Sequence, residues 1–327
     1  MRNNNTNLLA YAPQTPPDVP ARLLTFDRLR AVPDRLWIAA AAMAAMALFG
    51  LDAALRIWGG RAFDDPVILA VNLYAARSHV VDLALKALAG YDLFQGMPLV
   101  ALAVGAFAAA GGRGRTRLMI GGVGAAGAAV ASRLIQLFLP SLPRPLYDPA
   151  LPFHLPYGSE CAALRDWSSF PSDHAALLFG VAVATLVVNR RIGVLSLVIA
   201  AASSLARLYY GLHYATDLIG GALLGAAAVC ALVAIALPWE DRLLAFARPR
   251  PALIATVAFL FAAQAASLFD EVRQIALSTA HQVKEMREPR LAASPAQDHD
   301  AGARRPDRAN SAAVSHEPGP TSACGPV

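Results

Sequence analysis

Charge is scarce in this chain. Asp, Glu, Lys and Arg make up 16% of its 327 residues, against about a quarter in soluble domains. With 56% hydrophobic residues and a mean hydropathy of +0.45, that shortage argues against a soluble globular protein. Cysteine is scarce too. The three present, Cys161, Cys230 and Cys324, fall in a loop, an apolar run and a polar tail. They have no metal-site spacing and no obvious pairing, which argues against a disulfide scaffold or a zinc site. The first 35 residues lack the early apolar core of a secretory signal. The net charge of +5 and pI near 9.4 do not point to nucleic acid, because the arginines are gathered between apolar runs. That is the pattern of membrane topology.

What the chain has is length in its apolar runs. About 20 apolar residues suffice to cross a bilayer as a helix. The first candidate is 36–58, LWIAAAAMAAMALFGLDAALRIW, where Asp52 and Arg56 are four apart and can pair on one face. Further runs lie at 92–110, 117–139, 173–188, 192–209, 214–237 and 252–269. Segments such as GGVGAAGAAVAS and GGALLGAAAVCA let helices approach closely. The stretch 67–88 carries Arg77, His79, Asp82 and Lys86, and reads as an amphipathic helix lying flat at the interface. The expected fold is an all-α polytopic membrane bundle of about six spans. The interfacial helix and an additional C-terminal span at 252–269 complete it. The domain boundaries expected are a polar cytoplasmic lead-in at 1–35, a catalytic membrane domain at 36–237, a cytoplasmic turn and additional apolar helix at 238–286, and a disordered polar tail at 287–327.

Orientation follows from the arginines. Arg2, Arg22, Arg28, Arg30 and Arg35 precede the first span. Arg113, Arg115 and Arg117, then Arg190 and Arg191, then Arg242, Arg248 and Arg250 separate later ones. If 67–88 does not cross, all of them fall on the cytoplasmic side. The loop 140–171 and the turn 210–213 then face outward, and there the polar residues of interest lie.

Three pieces stand out. In SRLIQLFLPSLPRP, Arg133 lies within an apolar segment and Arg144 just past it. A charge in hydrocarbon is a functional hypothesis by default, and snorkelling to the headgroups is the plain alternative. In FPSDHA, Ser172 or Asp173 can cap the helix that follows. The same free N–H groups can hold an anion, with His174 beside it. In ARLYYGLHYATD, Gly211 permits a tight turn after Arg207, and His213 and Asp217 share a face at i and i+4. A carboxylate on one imidazole nitrogen leaves the other free as nucleophile or base, or the two simply satisfy each other. Taken together, and on one side, these residues make a cationic cradle for a phosphate, a nucleophile and a separate proton donor. Those are the parts of phosphoryl transfer. No metal or other cofactor is expected, since the arginines can supply the positive charge.

The three pieces resemble the signature motifs of the type 2 phosphatidic acid phosphatase (PAP2) superfamily, integral-membrane lipid phosphatases related to vanadium haloperoxidases. The family pattern is Lys-x6-Arg-Pro, Pro-Ser-Gly-His and Ser-Arg-x5-His-x3-Asp. Arg144 and Pro145 match the end of the first motif. Pro171, Ser172 and His174 match the second, and Arg207, His213 and Asp217 match the third at the right spacing. The resemblance covers residues 130–225 by motif. It implies that His213 attacks phosphorus to form a phosphohistidine, that Asp217 orients it, and that His174 protonates the leaving oxygen. It also implies that Arg144 and Arg207 hold the phosphoryl oxygens, with Ser172 and the backbone N–H of Asp173 completing the cradle. There are three departures. Leu137 stands where the pattern has lysine, and Arg133, one helical turn earlier, is assigned that role. Asp173 replaces glycine. Ala206 replaces serine.

The resulting expectation is a phosphatase in the bacterial cytoplasmic (inner) membrane with its site facing the periplasm or exterior. Its partners are the bilayer and a lipid phosphate: undecaprenyl diphosphate, phosphatidic acid or phosphatidylglycerol phosphate. A lipid phosphotransferase sharing the intermediate is the near alternative, and a non-catalytic anion or proton-coupled transporter the distant one. Oligomeric state is not fixed by the sequence. In the outward loop, His154, Tyr157, Glu160, Arg165, Asp166 and Trp167 are weaker candidates for headgroup contact, and His79 and Asp82 for lining a lipid access route.

Overall fold

A computed structural model describes residues 34–139, 142–159 and 168–267. The lead-in before residue 34, Glu160, Cys161, Arg165, Asp166, Trp167 and the polar tail lie outside the described residues. Within them the chain is helical, with no strand. The elements are α1 (Asp34–Trp58), α2 (Asp64–Asn72), α3 (His79–Gly90), α4 (Gly96–Ala109), α5 (Gly112–Phe138), α6 (Asp173–Val188), α7 (Arg190–Tyr209), α8 (Ala215–Ala236), α9 (Glu240–Ala247) and α10 (Pro251–Ala266).

Side-chain contacts fix which ends meet. Arg117, early in α5, lies 3.6 Å from Asp34 at the start of α1 and donates to Glu240 beyond the end of α8. Arg113 pairs with Asp241 at the same end. At the other end, Arg56 near the close of α1 reaches Asp217 in the first turn of α8. Gln95, just before α4, meets Arg207 in the last turn of α7. Helices α1, α4, α5, α6, α7 and α8 therefore alternate between an arginine-rich end and an end where the motif residues gather.

Among the described residues, four helices are long and apolar enough to cross a membrane: α1, α5, α7, and α8 with its continuation to Ala247. Helices α4, α6 and α10 are apolar but shorter, at 14, 16 and 16 residues. At 1.5 Å per residue, 16 residues span about 24 Å. Large apolar side chains face outward along the bundle, among them Met43, Phe138 and Phe259. An apolar surface this extensive is a liability in water and suits lipid. The protein is an all-α membrane bundle.

Helix α6 is the centre. It packs against α5, α7 and α8 and is buried along most of its length. The close approach comes from small residues. A Cβ on Gly221 of α8 would collide with the carbonyl oxygen of Ser172, and one on Gly225 with that of Ala176. Glycine here presses the N-terminus of α6, with Ser172, against the first turns of α8.

The 67–88 stretch differs from the single helix expected. It forms most of α2 and most of α3, broken at 73–78. Ala76 has φ of 57°, a conformation that cannot propagate a right-handed helix. Ser78 then starts α3 by accepting a hydrogen bond from the Val81 N–H. Helix α3 turns Asp82 inward and Val80, Val81 and Leu83 outward. The Asp52–Arg56 pairing is also corrected. Arg56 makes its ion pairs with Asp217 and Asp64, because the start of α8 and the start of α2 both converge on its guanidinium.

Candidate active site

The turn between α7 and α8 carries the central histidine. Gly211 adopts φ of 67°, where glycine is favoured. A Cβ there would also stand 2.7 Å from the Phe153 ring. The turn is tied to the outer loop by the Leu146 N–H donating to the Gly211 carbonyl at 3.0 Å. It delivers His213 into the interior, 1% exposed.

The tautomer of His213 follows from its neighbours. Nδ1 lies 3.0 Å from the carbonyl oxygen of Ser169. A carbonyl only accepts, so Nδ1 carries the hydrogen and Nε2 has the lone pair. Nε2 faces Ser172 Oγ and Arg144 Nη1, each at 3.3 Å. Burial, reinforced by the charge of Arg144, pushes the pKa of His213 down to about 4. The imidazole is thus neutral, with its lone pair turned toward a guanidinium and a hydroxyl.

Asp217 is placed differently from the expected direct partner. Its Oδ2 lies 3.7 Å from His213 Nδ1, beyond hydrogen-bond range. That oxygen accepts instead from the Tyr214 N–H at 2.8 Å, and Oδ1 accepts from Arg56 Nε at 3.1 Å. The Ser169 carbonyl orients the ring, and Asp217 acts on it through its charge and by fixing the turn.

Arg144 is almost fully buried. One terminal nitrogen donates to the Leu212 carbonyl, and its Nε is buried with no hydrogen-bond partner among the described residues. Burial draws its pKa down, opposed by Asp173 and Asp217. Arg207 is buried and donates to Gln95 Oε1 at 3.3 Å; its charge is felt at His213.

The FPSDHA segment is pinned from two sides. Ser132 Oγ and Gln136 Nε2, both from α5, donate to the Pro171 carbonyl at 2.8 and 2.6 Å. The Ser172 N–H donates to the Asp217 carbonyl at 2.9 Å. Ser172 Oγ caps α6 by accepting from the Ala175 N–H at 3.3 Å. Arg133 reaches Asp173 Oδ2 at 2.7 Å, and Asp173 Oδ1 lies 3.0 Å from His174 Nδ1. The structure therefore gathers His213, Asp217, Arg144, Ser172, Asp173, His174, Arg133 and Arg207 at one end of the bundle.

Several residues of this site escaped the sequence. Arg56 binds Asp217 and Asp64, donates to Ser169 Oγ at 3.4 Å and lies 4.7 Å from the Tyr214 ring centroid. Ser169, Gln95, Gln136 and Asp64 are silent in local spacing. Only Arg56 carried a signal, as a charge in an apolar run. In the loop, His154 is pinned through its backbone to the Asn72 side chain, and the Tyr157 N–H donates to Asp82. Asp82 does not line an access route: it is fully buried and accepts from the Tyr209 hydroxyl. His79 packs edge-on against Tyr157.

A model of the PAP2 superfamily matches residues 117–241. That stretch is similar to the PAP2 superfamily. The eight residues above all fall inside it. Over 58 residues, 18% of this chain, the sequence is 41% identical to the bacitracin transport permease protein BcrC of Bacillus licheniformis, and that match spans 29% of the relative's length. A solved transmembrane PAP2-type phosphatidylglycerolphosphate phosphatase from Bacillus subtilis is 18% identical. It aligns over 59% of this chain and 94% of its own, with a TM-score of 0.40. Asp173 stands where the family motif has glycine, and it touches Arg133, which lies one helical turn before Leu137 at the lysine position.

Proposed function

We propose that this protein is a membrane lipid phosphatase that works through a phosphohistidine. The observation carrying the reading is His213, whose Nδ1–H is held by a carbonyl while its Nε2 lone pair faces Arg144 and Ser172. In this scheme the phosphoryl oxygens lie against Arg144 and Arg207 and the positive end of the α6 dipole. Nε2 of His213 attacks phosphorus, and the bond to the leaving oxygen breaks as His174 supplies a proton. Water then attacks the phosphohistidine, His174 takes the water's proton, and the P–N bond breaks.

The arginine-rich end supports a cytoplasmic placement by the positive-inside tendency, which puts the site on the periplasmic or outer face of the inner membrane. Catalysis is assigned to the span 36–237. The substrate class is a lipid phosphate or diphosphate whose headgroup meets the site at the edge of the hydrocarbon: undecaprenyl diphosphate, phosphatidic acid or phosphatidylglycerol phosphate. The test is phosphate release by purified protein in detergent from each of these lipids, with and without EDTA. Release from at least one, undiminished by EDTA, is the expected result. Label passing to a second lipid instead of to free phosphate identifies a transferase. Binding of all three with no turnover overturns the enzyme reading.

A further inference from the structure

We propose that Asp173 is the positioning residue of the general acid, holding His174 through Nδ1 while Arg133 anchors its other oxygen. This rests on the phosphatase reading above. A carboxylate beside a phosphate site repels its substrate and should be selected against, unless its charge is engaged. Here it is engaged twice: Arg133 Nη2 lies 2.7 Å from Oδ2, and His174 Nδ1 lies 3.0 Å from Oδ1. Both side chains of the ion pair are largely buried, at 16% and 8% exposure, so the contact is not a solvent-screened surface pair. The two departures from the family pattern, an arginine at 133 and an aspartate at 173, thus meet in one ion pair that ends on the histidine.

The chemistry follows from hydrogen-bond valence. The carboxylate only accepts, so Nδ1 of His174 carries a hydrogen and the transferable proton is on Nε2. Asp173 stabilises the charged, proton-donating imidazolium, as an orienting carboxylate does in a catalytic triad. When the His213–phosphorus bond forms and the bond to the leaving oxygen breaks, the Nε2 proton moves to that oxygen. His174 is left neutral, its Nδ1–H still on Asp173. In the second half Nε2 takes a proton from the attacking water, and the imidazolium is restored. Arg133 keeps Asp173 aimed at His174 and offsets its charge toward the phosphate. Gln136 accepts from Arg133 Nη1 at 3.0 Å while donating to Pro171, which ties the ion pair to the same segment.

The experiment compares kcat/KM for two substrates in purified protein. One is an alkyl lipid phosphate, phosphatidic acid, whose leaving oxygen needs a proton. The other is p-nitrophenyl phosphate, whose leaving group departs without one. General-acid assistance contributes about 10²–10⁴-fold. Asp173→Asn is expected to lower kcat/KM for phosphatidic acid by about 10²-fold and that for the aryl ester by less than about tenfold. Asp173→Glu restores most of the loss. If the single variant does not fold, Arg133→Gln combined with Asp173→Asn removes both charges together, orphans neither, and is expected to show the same split. Equal loss on both substrates, or no loss on either, in folded protein overturns the role of Asp173 while leaving the phosphatase standing. A wild-type protein that releases phosphate from neither ester fails at the underlying reading, and this inference falls with it.

Discussion

Replacing His213 by alanine is expected to lower lipid phosphate hydrolysis by more than about 10⁴-fold, since loss of a nucleophile is among the largest single effects in covalent catalysis. The neighbouring groups cannot substitute for it. Arg144 is a cation without a lone pair, and Ser172 Oγ already accepts from the Ala175 N–H as the cap of α6. The substitution also removes a donor from the Ser169 carbonyl, a cost of about 1–3 kcal/mol if that oxygen stays dry. The fold is therefore expected to survive, which size-exclusion chromatography and the far-ultraviolet circular dichroism of the purified variant would check. Folded His213→Ala protein with near-normal phosphate release would contradict the assignment.

The second large effect falls on stability. Arg56 is buried and bonded to Asp217, with Asp64 3.7 Å away. Removing one partner of a buried ion pair leaves an uncompensated charge and typically costs about 3–5 kcal/mol. Asp52 lies in the same region, with a buried Oδ2 that has no hydrogen-bond partner among the described residues. Arg56→Met is expected to lower the thermal unfolding temperature in detergent markedly. Adding Asp64→Asn should recover part of the loss, because one orphaned carboxylate becomes neutral. Unfolding of Arg56→Met at the wild-type temperature would show that the pair carries no weight.

These two residues mark the limits of what the sequence reveals. His213 was legible because its signals are local: Arg207, His213 and Asp217 lie within one turn and the helix ends beside it. The same holds for Ser172 as a cap, and for the bundle, whose apolar runs and glycine-alanine stretches announce close-packed helices. Arg56 was half-legible. Its presence in an apolar run flagged it, but the i,i+4 spacing suggested Asp52, whereas its partner Asp217 is 161 positions away. Ser169 is 44 positions from His213 and Gln95 is 112 from Arg207. Pairings of that range depend on how helices dock, which no local pattern encodes. The break in the 67–88 stretch had another cause: a single residue with positive φ, Ala76, interrupts an otherwise helical pattern. Asp173 looked out of place beside an anion site until its neighbours across the bundle were known. Arg133 supplies the opposite charge, and His174 takes the hydrogen bond.

The central claim is that phosphorus is bonded to His213 during turnover. The direct measurement is rapid quenching of wild-type protein with lipid substrate labelled in its phosphoryl group, followed by peptide mapping of the label. Phosphohistidine is expected: label on the peptide containing His213, stable in alkali, lost in acid and absent from His213→Ala. Steady hydrolysis with no protein-bound label, or label persisting in His213→Ala, would contradict the account.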